Sequence, residues 1–482
     1  MKLINILLII LLAGTGLMSC HKFLEENPPS ELDATKLMST EEGILSVLNS
    51  VYAVANMNNK DMITVTEWST DINLERGGVE ERDASVISNF TLDANVDRLN
   101  SNLWDIPYRA IRNANIFLDN IDQAPLSDAD KKKYRAEVTF LRAMVYYCLY
   151  SWYGPVPLRI SSIDEVEKAR ATDEEMQTFI ESELTSAIND LPDPGKEAAY
   201  GRAHKGAALG FLVKYYLLTK QWQKVADRVQ DIKALNYYEL FPDYETMFRV
   251  ENEGNKEMIW VRQNIAGKGG NQYTNAALPP AFKSDPYTGF VFKTGMLNWA
   301  ANYRVYTAWY NTFEPGDKRK NLILTEYINS ADQLVDLSTE PDNFRPMKYV
   351  DFNALADHGN DFPFIRYADM LLSRAEALNE LNGPNTESIQ IINDIRHRAG
   401  LFNDIAVSDF ATKEELRMHI LKERGWELWS EGTRRADLIR MGKLIEFAKA
   451  RGVTNAQEFH NRLPIPQYEV SANRLLKQNE GY

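Results

Sequence analysis

Ala207-Ala208-Leu209-Gly210-Phe211-Leu212-Val213-Lys214-Tyr215-Tyr216-Leu217-Leu218 runs into Thr219-Lys220-Gln221-Trp222, after which Val225, Ala226 and Val229 recur at helical spacing. Apolar residues three and four apart on both sides of a short polar break predict two helices joined by a turn within residues 201–232. Ala207, Ala208 and Gly210 are small, so a neighbouring element can approach closely there. The same grammar returns over residues 364–401. Ile365, Ala368, Leu371, Leu372, Ala375 and Leu378 predict a first helix, Asn382-Gly383-Pro384 a turn, and Ile389, Ile392 and Ile395 a second helix.

Working outward, Ile111, Ala114, Leu118 and Ile121 form one stripe, which predicts a helix over 108–121. Residues 131–153 are apolar on nearly every side in their second half (Met144, Val145, Tyr146, Tyr147, Leu149, Tyr150, Trp152), as expected of a buried helix. Gly154-Pro155-Val156-Pro157 ends it. Small residues at helix crossings with an aromatic near the turn resemble tetratricopeptide units. Here the units are scattered, so no plain tandem solenoid is expected. Between about 234 and 361 the period breaks up around Gly267-Lys268-Gly269-Gly270-Asn271, Leu278-Pro279-Pro280 and Asp285-Pro286-Tyr287, with one short strand expected at Met258-Ile259-Trp260-Val261. The expected fold is mostly α. It is a single large domain of tetratricopeptide-like helix pairs (an α/α superhelix) with long loop-rich insertions and a few short strands. Long loops on a rigid base are where binding usually sits.

The 482 residues carry a net charge of −14 with 44% hydrophobic and 25% charged residues, which excludes disorder over the whole chain. A nucleic-acid partner is not expected, because neutralising phosphates needs a basic surface. Cys20 and Cys148 are the two cysteines, which excludes a disulfide-stapled scaffold and a cysteine-rich metal site. Met1-Lys2 followed by Leu3 to Leu12 and then by small residues has the layout of a secretory signal. Leu17-Met18-Ser19-Cys20 resembles a bacterial lipoprotein box. That implies a signal over 1–19, lipidation of Cys20, an extended tether over 20–35 that includes Pro28-Pro29, and a folded domain over 36–482. Cys148, in an apolar helix, is expected to be a buried inert thiol.

Five segments in order resemble the RagB/SusD family of outer-membrane lipoproteins. They are the lipobox with Phe23-Leu24-Glu25-Glu26-Asn27-Pro28-Pro29; Tyr108-Arg109-Ala110 through Phe140-Leu141-Arg142-Ala143 to Tyr153-Gly154-Pro155; and Gly201-Arg202-Ala203 with Lys205-Gly206-Ala207-Ala208. Then come Ile365-Arg366-Tyr367-Ala368-Asp369 through Arg396-His397-Arg398-Ala399-Gly400-Leu401, and Glu423-Arg424 through Arg435-Ala436-Asp437 to Leu463-Pro464-Ile465-Pro466 and Gly481-Tyr482. The resemblance implies a non-catalytic lipoprotein, lipid-anchored to the outer membrane and facing the cell exterior. It implies capture of an oligosaccharide or polysaccharide, or in some members peptide, and delivery to a SusC-like TonB-dependent transporter. No cofactor is implied. His21 and Lys22 precede Glu25 and Glu26, a departure from the acidic start usual for surface export.

Charged residues among apolar helix neighbours (Arg142, Arg366, Asp369, Glu376, Arg396, Glu423, Glu427, Arg435, Asp437) are expected to be paired, since an unpaired buried charge is costly. A sugar site needs aromatic faces and planar polar groups. Two irregular regions supply them: Trp68, Asp71, Asn73, Arg76, Glu80 and Arg82; and Asn271, Tyr273, Tyr287, Trp299, Asn302, Tyr303 and Arg304. Trp299 and Tyr303 lead, followed by Trp68, Tyr287, Arg82 and Asn73; Trp104 and Trp309 read as core. Arg76 and Arg82, with no aromatic between them, hint at an acidic glycan. No metalloprotease, nucleophile-elbow or phosphate-loop motif occurs. Asp351, Asn353, Asp357 and Asp361 hint at calcium, but Leu355 breaks that pattern and Asx turns explain it. A pair of glycosidase carboxylates is the remaining enzymatic alternative.

Overall fold

The computed structural model describes residues 37–57, 60–78, 80–300 and 303–482, so Cys20 and the proposed tether lie outside the described residues. The longer helices are α1 (Glu41–Ala55), α2 (Lys60–Glu67), α3 (Glu81–Ser88), α4 (Ile106–Asn120), α5 (Asp128–Tyr153), α6 (Asp173–Asp190), α7 (Lys205–Leu218), α8 (Trp222–Ala234), α9 (Tyr367–Asn382), α10 (Thr386–Arg398) and α11 (Lys413–Glu427). Local chemistry sets several starts. Ser127 accepts from the Asp130 amide, Asn385 from that of Ser388, and Thr172 with Glu175 and Thr412 with Glu415 form reciprocal capping boxes.

The helices pack in relay: α1 on α4, α4 on α5, then α6, α7, α8 and α9, with α10 and α11 both on α9. The units that look scattered in sequence therefore stack. α8 meets α9 directly although the whole loop-rich middle lies between them. One apolar core runs from Met38 to Leu476 and takes in residues of that middle, including Trp260, Tyr273, Phe290 and Tyr349. Cys148 is buried, as are Trp104 and Trp309.

The middle holds short strands. β1 (Asn73–Glu75) precedes it, and β2 (Met258–Arg262) opens it. β3 (Phe282–Ser284), β4 (Tyr303–Val305), β5 (Ile323–Leu324), β6 (Glu326–Asn329), β7 (Leu334–Asp336) and β8 (Arg345–Pro346) follow, and β9 (Phe362–Arg366) closes it. β2 and β9 are antiparallel, Met258 opposite Arg366 and Arg262 opposite Phe362, so the insertion leaves and re-enters the helical stack through one ribbon. Ile365 therefore belongs to β9, not to the helix its spacing predicted; pairing with β2 overrides the helical period and α9 starts at Tyr367. The small residue Gly210 serves this ribbon, since a Cβ there would lie 3.1 Å from Ile365.

Eight of the nine marked charges are paired with an opposite charge. Arg366, fully buried at the end of β9, bonds Glu431 through Nε and Nη2 (both 2.8 Å), Glu427 (3.0 Å) and Glu257. Arg398 bridges Glu257 (3.0 Å) and Glu427, while Arg319 joins Asp317 (2.7 Å) to Glu423 (2.5 Å). Asp369 binds Lys214 (2.7 Å) and Arg424 (2.8 Å); burial opposes its charge, but the two cations hold its carboxyl well below the usual range. Arg435 is the exception. Its guanidinium donates to the backbone carbonyl of His460 (2.8 Å), with no carboxylate partner among the described residues. Arg366→Leu should cost about 3–5 kcal/mol, because three carboxylates would lose a shared buried cation. Urea denaturation of the purified variant measures this.

Candidate functional site

β1 and β4 pair antiparallel, with Asn73 opposite Val305, Leu74 opposite Arg304 and Glu75 opposite Tyr303. This small ribbon joins one stretch of each of the two candidate regions. Trp299 stands just before β4. Its amide donates to the Asn275 carbonyl (2.9 Å), and the buried Asn275 side chain donates to the carbonyls of Leu297 (2.7 Å) and Ala356 (3.0 Å). Of the nine tryptophans Trp299 alone is exposed, at 37%. The Lys60 ammonium lies 5.3 Å from its ring centroid and 5.8 Å from that of Tyr303, a cation–π arrangement.

Behind the indole lies a compact charged cluster. Lys60 contacts Asp61 (2.6 Å) and Glu80 (2.9 Å), and Arg98 contacts Asp61 (3.2 Å) and Glu80 (2.7 Å). The Tyr303 hydroxyl lies within hydrogen-bond distance of Glu80 (3.1 Å) and the Thr64 hydroxyl (3.2 Å). Glu75 shares this cluster, and burial, reinforced by the nearby Glu80 charge, pushes its carboxyl up to about 9. Lys60, Asp61, Thr64 and Arg98 carry no signal in the sequence. They are ordinary helix residues, and apart from the Lys60–Asp61 pair their partners lie about 20 residues or more away along the chain.

The other candidates separate. Trp68 and Tyr303 are 1% and 2% exposed, so neither presents a face on which a ring could stack. Both are core, which corrects their reading as contact residues: Trp68 follows α2 into the main core, and Tyr303 turns inward against Tyr273. Asn73 is also buried, its amide donating to Glu67 and to Ser430 (3.2 Å). Tyr287 is exposed but belongs to another patch, with its hydroxyl bonded to Glu245 (2.7 Å) and Asn321 (2.6 Å). Arg82 is exposed on α3 beside Asp83 (3.1 Å), and Arg76 lies 3.6 Å from Asp342. Each arginine thus stands on the surface beside an aspartate. Arg304 pairs with Glu340, Asn271 and Tyr273 are buried, and Asn302 lies outside the described residues.

The aspartates over 351–361 act as latches. Asp357 accepts from the amides of Gly267 (2.6 Å) and Gly270 (3.1 Å), and Asp351 from those of Asn353 (2.7 Å) and Gly359 (3.2 Å). Asp361 accepts from the Asn264 amide and the Tyr200 hydroxyl, both at 2.8 Å. A Cβ at Gly270 would come within 2.4 Å of the His358 carbonyl oxygen, which is why this loop needs glycine. A cleft of about 760 Å³ lies elsewhere, between α5, α6 and α7 beside Tyr150, Gln177 and Arg462. Trp299 stands at the surface instead. No helix among the described residues is long and apolar enough to cross a membrane.

Two family descriptions match the chain: "SusD family" over residues 303–482, and "Starch-binding associating with outer membrane" over residues 22–217. The chain belongs to the RagB/SusD family, and its fold is the mostly α, tetratricopeptide-like one of that family. SusD-like protein P25 of Formosa agariphila is 26% identical over the full length of both chains. The starch-binding protein SusD of Bacteroides thetaiotaomicron is 24% identical over 76% of each. A solved laminarin-binding SusD-like protein superposes with a TM-score of 0.78 at 24% identity, covering 92% of this chain and 100% of the other.

Burial separates the tryptophans experimentally. Trp68→Ala should cost about 3–5 kcal/mol of stability in urea denaturation, and Trp299→Ala less than about 1 kcal/mol. Glu67, buried beneath β1 with its oxygens accepting from Asn73 and from the Gly432 amide, is pushed up to about 7 by burial. The folded state therefore holds a proton that the unfolded state has released between about pH 4.5 and 7. Through Glu67 alone, stability should fall as pH rises across that window, by on the order of 3 kcal/mol. A Glu67→Gln profile from pH 4.5 to 8 should be correspondingly flatter.

Proposed function

We propose that this protein binds glycan on the surface at Trp299 without chemistry and delivers it to a SusC-like TonB-dependent transporter. The observation that carries the reading is the β1–β4 ribbon. It sets the one exposed tryptophan beside a fixed set of polar groups, on a chain whose relatives include proteins named for binding starch and laminarin. An indole face stacks on the apolar side of a pyranose ring, and fixed polar side chains beside it select among hydroxyl patterns. Starch and laminarin are different glucans, so membership of the family does not name this chain's ligand.

In the same reading Cys20 is lipidated after removal of residues 1–19, and the 20–35 segment tethers the domain to the outer surface of the outer membrane. Several lipid chains on one cysteine anchor firmly where a single chain would not. A tethered binder beside a transporter raises the local ligand concentration. Peptide capture by the same architecture is the second reading, and glycoside hydrolysis the third.

Retardation of the purified protein in gels containing starch, laminarin or other polysaccharides, with calorimetry on each hit, tests the proposal. A glycan should bind without release of reducing ends, and Trp299→Ala should weaken it by about ten-fold or more while unfolding as the parent does. Binding of peptides alone would replace the first reading with the second. Product release would replace it with the third. Co-purification with a large barrel protein from solubilised outer membranes tests the transporter assignment.

A further inference from the structure

A cavity of about 80 Å³ lies inside the scaffold between α2, α5, α7 and the short helix Arg434–Arg440. A smaller one of about 10 Å³ adjoins it, and Thr66 and Arg435 line both. Most charges on these walls are matched. Lys214, Arg424 and Arg440 pair with Asp369, Asp437 and Glu376, three cations against three carboxylates. Glu431 is held by Lys348 and Arg366. Arg435 is the cation left over. It is 5% exposed, and its Nη2 donates to the carbonyls of His460 (2.8 Å) and Asn461 (3.4 Å). Its Nε and Nη1 have no hydrogen-bond partner among the described residues. Unlike the same two nitrogens of Arg345, they are not sealed off, so on a residue this little exposed they open onto the cavities it lines. Thr433, 8% exposed on the wall of the larger cavity, adds a hydroxyl with no partner among the described residues.

A buried cation with no counter-ion is costly, and a guanidinium cannot escape the cost by losing its proton near neutral pH. Burial pushes the Arg435 guanidinium down only to about 10. We infer that the larger cavity binds a monovalent inorganic anion of the chloride type, held by the Arg435 guanidinium and the Thr433 hydroxyl. Such an ion supplies the missing charge and accepts from donors that have no other partner. The volume suits it, since a single water needs only about 10–15 Å³ of such space. The walls select for charge. Met62, Tyr147, Leu217 and Phe364 make much of the lining apolar, and the carboxylates of Glu431 and Asp437 also stand on it. Sulfate or phosphate would shed a tighter hydration shell there and meet about twice the repulsion. The inference is independent of the glycan reading. The two sites share one element, because α2 sends Lys60 and Thr64 to the cluster behind Trp299 and lines the cavity with Met62 and Thr66. An ion in the cavity therefore braces the helix that supports the candidate site.

Thermal unfolding of the purified protein at about pH 7 tests this, with sodium gluconate replaced stepwise by sodium chloride at constant ionic strength. In the parent the midpoint should climb by about 2–3 °C and then level off, as expected of a saturable site rather than of a general salt effect. Bromide should act as chloride does, and sulfate at matched ionic strength should not. Arg435→Gln should lose the saturable rise, and Arg435→Lys, which keeps the charge, should retain part of it. A parent that unfolds alike in chloride and gluconate, or a saturable rise that survives in Arg435→Gln, overturns the inference. Crystals of the parent grown in bromide give a second reading that stands even if Arg435→Gln does not fold. Anomalous scattering should place a bromide against the Arg435 guanidinium. Water alone in the cavity overturns the inference, and a sulfate preferred there over bromide overturns the assignment to a monovalent ion.

Discussion

Arg366 ends β9 with no exposure to solvent, and three carboxylates share it. Glu257 precedes β2, Glu427 ends α11 and Glu431 follows it, so one guanidinium ties the ribbon of the insertion to the C-terminal helices. Arg398 at the end of α10 closes the same ring through Glu257 and Glu427. Lys348, from the middle of the insertion, reaches Glu431 (2.5 Å) and the Trp429 carbonyl (2.8 Å). Removing two charges from water is expensive, and only dense mutual pairing offsets it. Geometry is therefore tightly constrained where the network sits, at the junction of insertion and stack.

That junction positions the candidate site at a distance. β2 and β9 hold the two ends of the insertion together, so its loops are arms on a fixed base. Asp351, Asp357 and Asp361 then latch the loops to each other through backbone amides. Asn275 pins residues 297–299, and β4 docks on β1 from the N-terminal part of the chain. Each step is a hydrogen-bonded constraint between segments remote in sequence. Together they let a loop tryptophan stay half in water without collapsing into the core.

The site differs from the scaffold in how its charges are treated. In the scaffold, buried carboxylates such as Asp369, Glu376 and Glu427 have guanidinium or ammonium partners. In the site, Glu75 has none. A cost of this kind is tolerated where the surrounding structure over-determines the fold, and a small ribbon docked on a large helical stack meets that condition.

The sequence by itself determined the helices, their small-residue crossings and the rule that the charges on them must be paired. All of these follow from period and composition within a few turns of chain. It also marked the two irregular regions from which the candidate residues come, because their loss of period is local too. Ile365 shows the limit, since its helical spacing lost to a strand partner a hundred residues away. Only the tertiary structure decided which tryptophan faces water. Trp68 and Trp299 both lie outside regular elements and look alike in sequence, yet one fills the core and the other stands on the surface. Burial in an irregular segment depends on whatever the rest of the chain brings against it. The same holds for Arg366, Lys60 and Glu75, whose partners, or lack of them, are set by contacts that no local pattern encodes.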